Sequence, residues 1–145
     1  MIDRSLAAFA ARVAERNRID AEDIHDLQRN ILPEGFASRE EADMLIALDR
    51  AVADQDPAWA DFLVDAVVAF AVWTSRPTGY VDADTARWLT GLLGCGAGVS
   101  ETARRIAFEV VREAERVDET LLVFVLRAPQ RAVGRISNPL AELVV

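Results

Sequence analysis

Two pairs of acidic side chains have the type and spacing that could support chemistry in this chain. Asp61 and Asp65 are four residues apart, which places both carboxylates on one face of a helix. Such a pair could bind a cation or share a proton, and it is the least that general acid–base catalysis requires. No partner base or nucleophile accompanies the pair. We therefore expect a solvent-facing strip whose carboxylates pair with arginines, rather than a catalytic site.

Glu34 and Glu41 flank a turn that resembles the second half of a calcium-binding loop. Gly35, Ser38 and Glu41 would occupy its sixth, ninth and twelfth positions, but the third falls on Leu32, which cannot ligate calcium. The two glutamates could still hold a weak divalent cation. We favour the alternative in which Glu41 completes a capping box with Ser38.

The other reactive residue types are isolated in the sequence. His25 has no Cys or His partner for a metal, so we expect an exposed helix residue. Cys95 lies among the glycines before the sixth helix. A phosphate-binding fingerprint would require a strand before these glycines, and none is predicted. The glycines are better explained as the C-cap of the fifth helix and the loop that follows it. Trp59, Trp73 and Trp88 could line a ligand pocket, but we expect core positions for them. The sequence predicts no catalytic residue and no cofactor site.

Composition excludes several classes of partner. The chain has 145 residues, with 24 Asp and Glu against 16 basic residues, and its net charge is −8. This charge argues against nucleic acid, which requires clustered cations. All the basic residues are arginine, which indicates a GC-rich bacterial genome. The longest apolar stretch, Phe62 to Trp73, contains Asp65 and is too short to cross a bilayer. We therefore predict a cytoplasmic protein without membrane insertion.

Periodicity and stop signals predict an all-α fold with seven helices and no strand. The fourth helix begins at Asp56-Pro57 and is apolar almost all round from Trp59 to Trp73, so we expect it to be buried on most sides. The seventh begins at Asp118 and is expected to fade near Pro129.

Four turns with similar residues predict an internal repeat. They read Asn17 to Asp20, Gly35 to Ser38, Gly79 to Asp82 and Ala97 to Ser100, and the spacing within the first pair equals that within the second. A shift of 62 residues (82 − 20), which takes Asp20 to Asp82, superimposes the first pair of turns on the second without a gap. We call this shift the repeat offset. This predicts one helical domain over residues 1–135, with repeats at about 17–73 and 79–133 and a C-terminal tail at 136–145. The two repeated bundles would share the central apolar helix. The alternative is that amphipathic helices of any origin slide into rough register.

The turn from Glu34 to Glu41 (Glu-Gly-Phe-Ala-Ser-Arg-Glu-Glu) and the helix plan resemble the tellurite-resistance TerB-like family. That resemblance implies two four-helix bundles that share a central helix, and an association with metal ions or stress-linked cytoplasmic complexes. The corresponding turn in the second half lacks both acids.

Together these features predict a non-enzymatic cytoplasmic helical module for protein interaction or regulation. A protein partner or a homo-oligomer is expected, with the apolar tail residues as the contact, namely Leu140, Leu143, Val144 and Val145. The alternative is a divalent-metal-binding TerB-like stress protein that uses Glu34, Glu41, Asp61 and Asp65.

Overall fold

A computed structural model of the chain describes residues 4–74, 77–94 and 99–136. The fold is all-α, and the described residues form seven helices: α1 (Arg4–Arg16), α2 (Ala21–Asp26), α3 (Arg39–Ala51), α4 (Pro57–Val68), α5 (Ala83–Leu93), α6 (Glu101–Glu113) and α7 (Glu119–Ile136). Two π-helical segments, Leu27–Ile31 and Ala69–Thr74, extend α2 and α4.

Polar N-cap side chains set the starts of these helices. Asp20 and Asp23 exchange two hydrogen bonds of 3.0 Å at the start of α2, each side chain accepting from the other residue's backbone N–H. Ser38 and Ser100 accept from backbone N–H groups in the first turns of α3 and α6. Each cap satisfies a donor that has no partner within the helix, so the cap residues determine where the helices begin.

The prediction that the chain has no strand was wrong. Four two-residue strands form two parallel pairs. β1 (Arg18–Ile19) pairs with β2 (Asp54–Gln55), and β3 (Tyr80–Val81) pairs with β4 (Arg116–Val117). Two residues are too few to show a period of two, and these strands lie in the turns between helices. Hydrophobic periodicity therefore contains no signal for them.

The chain divides into two compact units, Met1–Thr78 (unit 1) and Gly79–Val145 (unit 2). Unit 1 holds 15 of the 24 acidic residues and eight of the 16 arginines, a net charge of −7 (8 − 15). The other nine acids and eight arginines leave unit 2 with −1 (8 − 9). The acidity of the whole chain is thus largely a property of unit 1.

α4 lies within unit 1, and it is less buried than its composition predicts. The prediction that the longest apolar stretch is too short to cross a bilayer was wrong by length alone. Pro57–Thr74 is the one stretch of the described residues that is long and apolar enough to cross a membrane, yet only 39% of it is buried. Its buried side chains include Trp59 and Leu63. Asp61, Asp65 and Ala69 lie on the exposed side. A soluble core helix and a membrane span both pass such a test, so it is weak evidence for a span.

The core position expected for Trp73 was also wrong. Its side chain is 46% exposed, whereas Trp59 is fully buried and Trp88 is half-buried. Trp73 is four residues beyond Ala69 and continues the exposed side of α4. Apolar character alone did not distinguish these positions, because the exposed side of this helix contains alanine and tryptophan as well as aspartate.

The repeat offset relates several features of the two units. Asn17 and Gly79 both have a positive φ, of 55° and 86°. The two strand pairs have the same register at this offset. The N–H groups of Asp56 and Asp118 donate to the last carbonyl of β1 and of β3, at 2.8 and 2.9 Å. Common descent of the halves, and a central helix that serves two bundles, stay predictions.

α7 extends beyond its expected end. The helix continues through Pro129 to Ile136. A proline removes one backbone donor from a helix without forbidding the turns that follow it. The tail residues Leu140, Leu143, Val144 and Val145 lie outside the described residues, as does the loop at 95–98.

Candidate functional site

A groove in unit 1 lies between α2 and α4, and we call it the α2–α4 groove. Its volume is about 330 Å³, and its lining residues are Ala21, Ile24, His25, Gln28, Ala58, Asp61, Phe62 and Asp65. An adjoining hollow of about 350 Å³ shares Gln28, Phe62 and Asp65 and is completed by Leu32, Pro33, Gly35 and Ala66. Because the two share three residues, they form one continuous depression.

The α2 wall is positioned by the hydrogen bonds at its N-terminus. Asp23 is buried, and it accepts both from the backbone N–H of Asp20 and from the Arg16 guanidinium, at 3.0 and 2.5 Å. The hydrogen bond from the Asp23 backbone is the main cause of a lowered pKa at Asp20. A carboxylate that accepts hydrogen bonds is favoured in its charged form. This network fixes the start of the wall that carries His25 and Gln28.

The α4 wall is positioned by Trp59. Its side chain is fully buried, and its Nε1 donates to Asp49 Oδ1 of α3 at 3.0 Å. The ring of Phe62 lies 6.0 Å from that of Trp59, so the aromatic side of the groove rests on a buried anchor. Asp56 caps the helix and Pro57 is its first residue. Asp61 and Asp65 lie on this wall and line the groove.

The two aspartates lie where water reaches them. Asp61 and Asp65 are both exposed and line the same groove. The acid–base alternative required a carboxylate pair shielded from water, because burial is what raises the pKa of a carboxylate into the useful range. An open groove does not provide that shielding. The geometry suits recognition of positive charge instead.

Glu34 and Glu41 do not line the groove with Asp61 and Asp65. Glu41 is 5% exposed, and its Oε1 accepts from the backbone N–H of Ala37 at 2.6 Å. Its own N–H donates to Ser38 Oγ at 3.4 Å. In a standard capping box the glutamate would accept from the N–H of the cap residue, Ser38. Here it accepts from the N–H of the residue before the cap, Ala37. Glu34 is exposed and belongs to neither lining set.

The four residues predicted as metal ligands are therefore not brought together. Asp61 and Asp65 share the groove, the Glu41 carboxylate accepts from the backbone of Ala37, and Glu34 lines neither the groove nor the adjoining hollow. Within the part of the chain that the structure describes, no group of three or more His, Cys, Asp and Glu residues could hold a metal ion. A divalent cation requires several oxygen ligands at once.

His25 and Gln28 were missed as members of a site. The sequence predicted an isolated, exposed His25, and the side chain is exposed, but it lies on the wall opposite Asp61 and Asp65. Gln28 follows three residues later, in the π-helical segment that extends α2, and both residues line the groove. That spacing was the available signal, and it becomes meaningful once α2 is known to pack beside α4.

Comparison with protein-family models, with curated proteins and with solved structures gave no match. The TerB-like resemblance stays a prediction. It rests on the turn from Glu34 to Glu41 and on the helix plan.

Proposed function

We propose that the protein is a non-enzymatic interaction module whose α2–α4 groove binds a basic helical segment of a partner protein. One observation carries the proposal. The groove joins an apolar floor to two exposed carboxylates one helical turn apart. In a unit with a net charge of −7, this favours a cationic ligand.

The dimensions of the groove limit the ligand. From Ala58 to Ala66 it follows α4 for about 12 Å, at a rise of about 1.5 Å per residue. That length accommodates about two turns of a second helix. Ile24 and Phe62 offer apolar contact to one side of such a helix. A helix laid into a groove presents anchors at spacings of three and four residues.

The spacing of Asp61 and Asp65 indicates the charge pattern of the ligand. Two arginines or lysines one turn apart on the bound segment would meet the two carboxylates. Exposed ion pairs of this kind contribute modestly to affinity, typically below about 1 kcal/mol each, and more to the rate and specificity of association. The apolar floor must supply the remainder. We therefore expect weak, salt-sensitive binding rather than a permanent complex.

A titration with two synthetic peptides tests the proposal. The first is an amphipathic helix with leucines on one face and two arginines four residues apart, and the second has glutamines in place of the arginines. Fluorescence anisotropy should show tighter binding of the arginine peptide, and this preference should weaken as salt is raised. Equal affinity for both peptides would refute the proposal.

Variants of the full chain locate the binding. The double substitution D61N/D65N should raise the dissociation constant of the arginine peptide about tenfold, which corresponds to about 1.4 kcal/mol of binding free energy. E15Q/E40Q is the matched control, because it removes the same charge from exposed positions on α1 and α3 outside the groove lining. If the control weakens binding equally, net charge rather than the groove attracts the peptide.

Divalent-cation binding, as in the TerB-like alternative, predicts a different result. Calorimetric titration with calcium, magnesium and zinc would then give heat that D61N/D65N abolishes. The cytoplasmic location and bacterial origin that composition predicts belong to the same proposal, and the scarcity of cysteine supports that location.

A further inference from the structure

Unit 2 exposes an apolar surface on α6 and α7, and we call it the α6–α7 face. It consists of Phe108, Leu122 and Leu126, which are 51%, 40% and 64% exposed. Phe108 lies on α6, and the two leucines lie one turn apart on α7. α6 and α7 pack against each other, so the three side chains belong to one helix pair.

Unit 1 shows what happens to the equivalent positions when they are covered. At the repeat offset, Phe108 corresponds to Ile46 and Leu126 to Val64, and each counterpart is only 3% exposed. Leu122 corresponds to Ala60, which is half-buried. The same positions in the two units therefore differ mainly in whether something packs over them.

Unit 1 contains a helix, α1, that precedes its strand β1. It packs on α3, the counterpart of α6, and it buries Leu6, Phe9 and Val13 completely. Unit 2 begins at Gly79, and its described residues contain α5, α6 and α7 with no helix before α5. The described part of unit 2 thus has three helices, and it exposes Phe108 and Leu126, whose counterparts in unit 1 are buried.

We propose that the α6–α7 face is a dimer interface that binds the same face of a second copy of this chain. Two helix pairs packed face to face form a four-helix arrangement, which supplies each copy with the layer that α1 supplies in unit 1. A twofold axis requires a self-complementary surface. The apolar centre meets that requirement, because Phe108 and Leu126 would pack against their own copies.

The charges of α6 fit an antiparallel pairing of two copies. Its first half carries Glu101, Arg104 and Arg105, a net charge of +1, and its second half carries Glu109, Arg112 and Glu113, a net charge of −1. A twofold axis near Phe108 brings the first half of each copy beside the second half of the other. Unit 2 has a net charge of only −1, so the repulsion that two copies of unit 1 would experience is small here.

This interface is separate from the α2–α4 groove and does not depend on the function proposed for it. Sedimentation velocity of the full chain over a range of concentrations tests it. The chain should sediment as a dimer at high concentration, and L126D and F108D should each raise the dimer dissociation constant at least about tenfold. Both positions are exposed, so circular dichroism should show helix content equal to that of the unmodified chain.

The matched control is Y80D. Tyr80 is a largely apolar side chain of unit 2 that is 43% exposed, and it lies on β3, outside α6 and α7. Y80D should leave the dissociation constant within about twofold of the unmodified value. A monomer at every concentration would overturn the proposal. So would a dimer that L126D and F108D leave intact, or one that Y80D weakens as much as they do.

Discussion

Units 1 and 2 are built on similar frames and differ in what covers those frames. Their strand pairs coincide at the repeat offset, and so do three pairs of cap residues: Asp20 with Asp82, Ser38 with Ser100, and Asp56 with Asp118. Unit 1 has α1 and a net charge of −7, and it presents an acidic groove. Unit 2 has no helix before α5 in its described part, is nearly neutral, and presents an apolar face. Similar turns and caps are therefore compatible with very different surfaces.

Removing the buried anchor of each unit should give the largest effect. Trp59 and Leu121 correspond at the repeat offset, and both are fully buried. W59A should lower the free energy of unfolding by about 3–5 kcal/mol and L121A by about 2–5 kcal/mol. We expect W59A to be the worse of the two, because it also removes the hydrogen bond to Asp49. Urea denaturation followed by circular dichroism measures both.

The exposed Trp73 provides the control for that pair. W73A should cost less than about 1 kcal/mol, because the side chain is already 46% exposed. A loss as large as that of W59A would contradict the burial on which the comparison rests.

Substitution of the buried Glu41 of unit 1 should give the next largest loss of stability. E41A leaves the backbone N–H of Ala37 without its acceptor and should cost about 1–3 kcal/mol. E41Q retains an oxygen acceptor and should cost less. Thermal melts of both variants check this, and equal losses would show that charge, rather than the hydrogen bond, is what matters at this position.

The left-handed residues that precede β1 and β3 allow an exchange between the units. Gly79 has φ of 86°, so G79A should cost about 1 kcal/mol or slightly more. G79N should be tolerated better, because Asn17 adopts φ of 55° at the corresponding position and asparagine enters this region more readily than alanine. If G79N proves as harmful as G79A, the two turns are not equivalent.

Low pH should lower the stability of both units, and we expect this loss to be the smallest of those predicted here. Hydrogen bonds from Asp23 lower the pKa of Asp20, and hydrogen bonds from Thr120 lower the pKa of Asp118. A carboxyl whose folded pKa is lowered stabilises the fold above its unfolded pKa, near 3.8, and this stability is lost as pH falls through the lower folded value. Melting temperatures should therefore fall below about pH 4. D20N and D118N should each reduce that fall, and an unchanged pH profile in both would refute this origin.

The sequence predicts the helices and their caps well, for a local reason. Ser38, Asp82 and Ser100 are cap residues directly before amphipathic runs, and each accepts the expected hydrogen bond. The signal and the structure lie within four residues of each other. The four short strands escaped prediction because each has two residues, and the strand it pairs with lies beyond two intervening helices.

The candidate site was only half visible in the sequence. Asp61 and Asp65 stood out because they interrupt an apolar helix. His25 and Gln28 did not, because their role depends on α2 packing beside α4, which is a tertiary fact. The position of Trp73 was wrong for a related reason: apolar residues on both sides of a helix do not reveal which side the rest of the fold covers.

A map of the residues that a basic peptide contacts would show whether the α2–α4 groove is its binding site. The full chain, labelled with ¹⁵N, would be titrated with the arginine peptide, and amide chemical shifts would be followed by NMR. Binding in the α2–α4 groove should shift the amides of residues 21–28 and 58–66 and leave the amides of α5, α6 and α7 unchanged. Shifts centred on unit 2, or none at millimolar peptide, would contradict it.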